Sequence, residues 1–94
     1  MKCGFVYIIT NKRNTVLYVG VTSQLKDRIF DHKRGRGCKF SAKYKIDKLV
    51  WFDEFPRMRE ALDREKQIKN WKREWKLNLI KELNPDLNDL YDDL

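Results

Sequence analysis

The chain has 94 residues, of which 41% are hydrophobic and 37% charged, enough for one small core that buries about two-thirds of its unfolded surface. No apolar run approaches the ~20 residues that cross a bilayer, the N-terminal MKCGFVYIITNKRN lacks the pattern of an export signal, and Cys3, Cys38 and the single histidine cannot complete a four-ligand zinc site. A cytoplasmic protein with reduced thiols that have no chemical role is therefore expected, and its net charge of +7 and pI near 9.5 point to a polyanionic partner, nucleic acid foremost.

FVYIIT and TVLYVG are short aromatic and β-branched runs separated by NKRN, and together they predict a hairpin. Alternation puts Phe5, Tyr7 and Ile9 on one face and Val6 and Ile8 on the other. In so small a sheet, Tyr7 and Tyr18 read on this pattern as amphipathic strand residues with wet tips. The following VTSQLKDRIFDHKRGRG predicts a helix started by Thr22 or Ser23 and stopped by Gly35. Leu25, Arg28, Ile29 and His32 fall at i, i+3, i+4 and i+7 of that helix, so an arginine and a histidine lie on its inward stripe.

From Lys33 to Lys45 there are bases at Lys33, Arg34, Arg36, Lys39, Lys43 and Lys45, no acid, and two aromatics, Phe40 and Tyr44. This segment reads as a flexible loop laid along a phosphate backbone. LVWFDEF, from Leu49 to Phe55, supplies a third strand that Pro56 ends. Met58 to Lys69 is helical by content, with Met58, Ala61, Leu62 and Ile68 on its apolar face. Glu65 shares that face, where a carboxylate costs several kcal/mol unless a neighbouring base or a metal meets it. In NWKREWKLNLIKELN, Trp71, Trp75, Leu79 and Leu83 repeat at helical spacing, broadened by Leu77 and Ile80, as core and cover for the sheet. After Lys81 only acids remain (Glu82, Asp86, Asp89, Asp92, Asp93), so residues 86–94 read as a solvated acidic tail.

Tyr7, Tyr18, Arg28, His32 and Glu65 thus all lie on surfaces turned toward one sheet. Phosphodiester hydrolysis uses such a set, because charge builds on phosphoryl oxygens and calls for fixed positive partners. One carboxylate can hold a magnesium ion whose other ligands are waters and phosphate oxygens.

The tyrosines of Val6-Tyr7 and Tyr18-Val19-Gly20 have ten residues between them, Arg28 follows Tyr18 by ten, and Glu65 lies in REKQIKNWKR. On these residues the chain resembles the GIY-YIG nuclease family, and its whole length, including NPDLNDLY, is similar to the small single-domain UPF0213-like members. The resemblance implies one α/β (α+β) domain over residues 1–94, with a small three-stranded, mainly antiparallel sheet flanked by helices. It implies a DNA endonuclease dependent on Mg2+ or Mn2+, working in repair or recombination as a monomer or weak dimer. Tyr7 and Tyr18 would line the site, one of them deprotonating or orienting the attacking water. Arg28 would bind the scissile phosphate and Glu65 the metal, while His32 matches a histidine of some members. The first motif reads FVY and the second YVG, and Val21 stands where some members carry a lysine. That removes one group able to lower a phenol pKa from about 10, and His32 can share the role of base. Asn78, Asn84 and Asn88 compete for an asparagine some relatives use near the end of the domain, with Asn88 the candidate named. Two alternatives stay open: a nucleic-acid-binding module that cuts nothing, on branched or single-stranded DNA or RNA, and a scaffold that recruits a protein through the tryptophan-bearing helix.

Overall fold

The computed structural model describes residues 3–94; Met1 and Lys2 lie outside the described residues. Strands β1 (Gly4–Thr10), β2 (Leu17–Thr22) and β3 (Lys48–Phe55) form one antiparallel sheet in the order β2-β1-β3. Helices α1 (Leu25–Lys33) and α2 (Lys39–Tyr44) precede β3, and α3 (Met58–Lys69) and α4 (Arg73–Leu83) follow it. This is the three-stranded antiparallel α+β arrangement expected from the sequence.

The hairpin loop is longer than the expected NKRN. Asn11 Oδ1 accepts the amides of Thr15 (2.8 Å) and Val16 (3.1 Å), and its Nδ2 donates to Thr15 Oγ1 at 2.7 Å. Those bonds draw Thr15 and Val16 into the loop, so β2 begins at Leu17. Helix α1 stops where expected: Gly35 sits at φ 75° and its amide donates to the His32 carbonyl.

The strand alternation holds on both faces. Val6 and Ile8 pack with Ala61, Ile68 and Ile80 from α3 and α4, whereas Tyr7 and Ile9 pack with Leu25, Ile29, Ile46 and Leu49. The central strand is consequently buried on both sides, and α1 with α2 occupies the face that carries Tyr7.

Four expectations need correction. The segment from Lys33 to Lys45 is not a loop throughout, because α2 forms within it. Cys38 Sγ accepts the Ser41 amide at 3.4 Å as the helix cap, while Ser41 and Ile46 are buried and anchor the segment. The acidic tail is not a solvated end. Leu87 is buried, Leu90, Tyr91 and Leu94 pack against the Tyr7/Ile9 cluster, and the Leu90 amide donates to the Leu49 carbonyl at 2.8 Å. Its apolar residues recur every three or four positions between the acids, a spacing that the charge count hid. On α4, Trp75 and Leu83 are more than half exposed, whereas Ile80, Leu77 and, from the expected stripe, Leu79 pack on the core, as does Trp71 just before the helix. Positions four apart drift about 40° per step around a helix, so a run of them leaves the buried face. Leu62 likewise points outward on α3.

Candidate active site

The site begins with the register of the hairpin, in which Tyr7 on β1 lies opposite Gly20 on β2. A Cβ at position 20 would stand 2.4 Å from both Cζ and Oη of Tyr7. Only glycine leaves the phenol room to lie across β2, which gives the last letter of YVG a steric reason. The Tyr7 tip is not wet as expected: the residue is 1% exposed, and its Oη lies 3.0 Å from His32 Nε2. The inward stripe of α1 delivers that histidine, with Leu25, Ile29 and His32 buried in sequence along it. His32 Nδ1 in turn lies 2.9 Å from Ser41 Oγ.

Arg28 sits one turn before His32, half-buried, with its guanidinium beside the Tyr7 hydroxyl and near Tyr18. The Tyr18 ring meets His32 edge-on at 5.9 Å and stacks on Phe40 at 6.3 Å, and Phe40 leans on Tyr44 at 4.9 Å. An aromatic ladder therefore runs outward from the site along α2, ending in two rings nearly half exposed. Glu65 of α3 is close enough to Tyr18 for its charge to act on that phenol.

The electrostatics follow from burial and from Arg28. Burial raises the Tyr7 phenol above its usual value, and the adjacent Arg28 guanidinium opposes that rise without cancelling it. Burial also raises Tyr18, helped by the Cys38 thiol and the Glu65 carboxylate. His32 is pushed down to about 4, first by burial and then by the Arg28 charge. For Cys38, burial acts upward, but its hydrogen bonding with the Ser41 side chain and amide brings the thiol below its usual value. At neutral pH the site therefore holds two protonated phenols, a neutral imidazole and a charged guanidinium.

A family model described as the GIY-YIG catalytic domain matches residues 3–78. The chain belongs to the GIY-YIG family. It is 37% identical over 78 residues to a UPF0213 protein of Staphylococcus haemolyticus (strain JCSC1435), an alignment covering 83% of this chain and 94% of that one. With a UPF0213 protein of Staphylococcus aureus (strain Mu3) the identity is 37% over 82 residues, 87% of this chain and 99% of the relative. The solution NMR structure of the UPF0213 protein BH0048 from Bacillus halodurans is similar in fold, with a TM-score of 0.59 and 28% identity, covering 93% of this chain and 92% of that chain.

Within this GIY-YIG domain Tyr7, Tyr18 and His32 meet directly, and Arg28 and Glu65 lie near enough for their charges to act on the tyrosines, but the five do not share one exposed pocket. Tyr7 and His32 are buried, and Arg28, Tyr18 and Glu65 are partly exposed. Among the described residues no three His, Cys, Asp or Glu side chains group to cage a metal. Glu65 is a single carboxylate whose side chain is 13% exposed, with Oε2 2.9 Å from Lys69 Nζ. Lys69 is half exposed, and such an i,i+4 pair is worth only about 0.3–0.5 kcal/mol. Lys69 can therefore yield to a stronger cation. One partly exposed hard oxygen donor fits Mg2+ or Mn2+, which keeps water ligands and takes phosphate oxygens.

The basic residues divide. Arg34, Arg36, Lys39, Lys43 and Lys45 are exposed, and among the described residues they form no ion pair. Lys33 departs from the expected phosphate-binding set, because it is paired with Asp89 and lies over the Tyr91 ring at 5.2 Å. Asn84 is buried and tied to the Val50 and Asn88 carbonyls, a structural clamp on the tail, while Asn88 is exposed with its amide held by Asn84. Asn78 lines a groove of about 370 Å³ with Trp71, Trp75, Leu79 and Glu82, the surface that a recruiting role would use. Sequence reasoning missed Ser41 and Cys38. Ser41 lies nine residues beyond His32 in another helix, and no spacing rule connects the two.

Proposed function

We propose that the protein is a divalent-metal-dependent endonuclease that hydrolyses phosphodiester bonds in DNA, working in repair or recombination inside the cell as a monomer or weak dimer. The observation that carries this reading is the buried Tyr7 Oη–His32 Nε2 contact of 3.0 Å with the Arg28 guanidinium beside it. A phenol hydrogen-bonded to a neutral imidazole and flanked by a fixed cation is a proton acceptor placed next to an anion site.

On this reading Arg28 binds the scissile phosphate. Tyr7 Oη takes a proton from the attacking water while handing its own to His32 Nε2, which avoids ionising a phenol whose pKa is raised. Tyr18, on which the charges of both Arg28 and Glu65 act, orients the phosphate. A Mg2+ or Mn2+ ion on Glu65 would supply Lewis-acid stabilisation of the leaving oxygen. Arg34, Arg36, Lys39, Lys43 and Lys45 contact flanking phosphates, and unpaired bases stack on Phe40 and Tyr44. The tail belongs to the same domain over residues 1–94, because Asn84, Asp89 and Leu90 tie it to β3.

The test is to incubate purified protein with linear, flapped and branched DNA plus magnesium or manganese. Wild type is expected to cut, and Glu65→Ala and Arg28→Ala to lower kcat by about 100-fold or more. Equal cleavage by wild type and Glu65→Ala would remove the metal role from Glu65. The Glu65–Lys69 pair supports a second reading, a binding module that does not cut. For that reading the expectation is salt-dependent DNA binding, unaltered by Glu65→Ala, with no products at any metal concentration.

A further inference from the structure

Behind the groups that would face substrate, Ser41 is the enclosed hydroxyl, 1% exposed on α2. Its Oγ has three polar neighbours: His32 Nδ1 at 2.9 Å, the Cys38 carbonyl at 3.2 Å and Cys38 Sγ at 3.3 Å. A serine hydroxyl offers one proton and two lone pairs. The Cys38 carbonyl can only accept, and beside the Ala42 amide that it takes at 3.0 Å it has a second lone pair for the Ser41 proton. The two lone pairs of Oγ then take the Cys38 S–H and the His32 Nδ1–H. At the opposite end, Arg28 carries only donors and its charge acts on the Tyr7 phenol, which favours the phenol proton pointing away from it, to His32 Nε2. Both ends of the network fit the same imidazole, protonated at Nδ1 and bare at Nε2. The backbone is shaped to it as well: a Cβ at Gly37 would lie 2.0 Å from His32 Nδ1, so the segment from Gly37 to Ser41 is laid directly against the ring.

We propose that Ser41 is a positioning residue that fixes His32 as the Nδ1–H tautomer and so keeps Nε2 free to receive the proton of Tyr7. The geometry stands by itself; its consequence for catalysis rests on the nuclease reading. Free neutral histidine prefers its proton on Nε2, so the protein must impose the other form. With Nε2–H in place, both His32 and Arg28 would donate to the phenol oxygen, and the Tyr7 proton would have no acceptor. In the productive form a water O–H breaks as its proton goes to Tyr7 Oη, and the Tyr7 proton passes to Nε2. The hydroxide oxygen bonds to phosphorus, and the bond to the leaving oxygen breaks with its electron pair on that oxygen, which takes a proton from solvent. The imidazolium then returns its proton to solvent through Tyr7, so one water is consumed per bond cut.

The deciding experiment is 15N-edited NMR of the His32 ring in the free, full-length protein at pH 7, with Ser41→Ala, Ser41→Cys and Ser41→Thr beside wild type. Wild type and Ser41→Thr are expected to be protonated at Nδ1 and unprotonated at Nε2. Ser41→Ala is expected to shift toward Nε2–H, with Ser41→Cys, which keeps the volume with a poorer acceptor, in between. In cleavage assays kcat of Ser41→Ala is expected to fall about 10- to 100-fold with KM for DNA unchanged and Thr restoring it. Wild-type His32 carrying its proton on Nε2 overturns the proposal, as does a tautomer indifferent to loss of the Ser41 hydroxyl in the Ala or Cys variant. An expected tautomer pattern in a protein that cuts no DNA would instead refute the nuclease reading and leave the Ser41 assignment standing.

Discussion

Neighbouring residues of β1 build two unlike interiors. Val6 and Ile8 face α3 and α4 across a layer of hydrocarbon, where Ala61, Ile68 and Ile80 meet them. Tyr7, one residue along, faces α1 and α2 across a layer that also holds His32 and Ser41, both buried. A buried polar group left unpaired costs about 1–3 kcal/mol, so the second face is stable only because each member completes the next. The contrast separates two kinds of vulnerability. Trimming the first face costs cohesion in proportion to the atoms removed, whereas trimming the second strands a partner and disables whatever the partner does.

The sharpest way to break this comparison is a pair of substitutions on adjacent residues. Ile8→Ala should cost about 3 kcal/mol of stability through the transfer and cavity terms, read by urea unfolding, while cleavage per folded molecule stays at the wild-type rate. Tyr7→Phe should cost only about 1–2 kcal/mol, the burden of leaving Nε2 unpaired, yet lower cleavage about 100-fold or more. If both variants lose activity only in step with their unfolded fraction, the two faces are not functionally distinct.

Titration gives the next effect, because only the second face holds a group that changes charge near neutrality. His32 is held near 4 by burial and by Arg28, against about 6.5 when unfolded. Above the unfolded value the imidazole is neutral in both states and its contribution to stability is complete. As pH falls the unfolded chain takes up the proton first, so stability declines from about pH 6.5 and the loss is complete below the folded value. Linkage puts the decline at about 2 kcal/mol between pH 7 and pH 5. Urea midpoints across that range should show it, and a flat profile would mean that His32 is not enclosed as described.

What the sequence made legible follows the same division. The alternation of Phe5 to Ile9, the bounds of α3 and the stop at Gly35 depend on residues close along the chain, and they were readable. Arg28, His32 and Glu65 stood out in the sequence because periodicity put polar groups on inward stripes, and the tyrosines joined them through the motif spacing. The depth of Tyr7 was not, since it depends on Gly20 across the hairpin and on a histidine 25 residues away. Ser41 was invisible for the same reason, and α2 was masked by a run of bases whose helix is capped by a cysteine. In the tail, charge concealed packing: Leu87, Leu90 and Leu94 decide its course, and one of the acids between them, Asp89, ties it to β3.

The ladder that leaves the second face predicts a smaller and more selective change. Phe40→Ala and Tyr44→Ala should each weaken binding of single-stranded DNA by about 1–3 kcal/mol, the worth of one stacked base, measured by fluorescence anisotropy. Affinity for blunt duplex, whose bases are already stacked on one another, should hardly change. Equal weakening of both ligands would mean that the rings serve only to hold α2 in place.

The smallest effect belongs to Lys33, which sits in the basic segment yet is turned toward the tail. Its ammonium pairs with Asp89, whose other oxygen accepts the amides of Leu49 at 3.2 Å and Tyr91 at 3.0 Å. Both partners are about one-third exposed or less, and a pair of this kind is worth about 0–1 kcal/mol. Lys33→Ala should therefore move the urea midpoint barely at all. Its diagnostic value lies in the salt dependence of DNA binding, where each phosphate contact adds about 0.9 to the slope of log K against log salt. Arg36→Ala or Lys39→Ala should reduce that slope by about one, because those side chains are exposed and free of ion pairs among the described residues. Lys33→Ala should leave it alone, and a reduction equal to that of Arg36→Ala would mean that DNA draws Lys33 off Asp89 and that the tail is loosened from β3 whenever substrate binds.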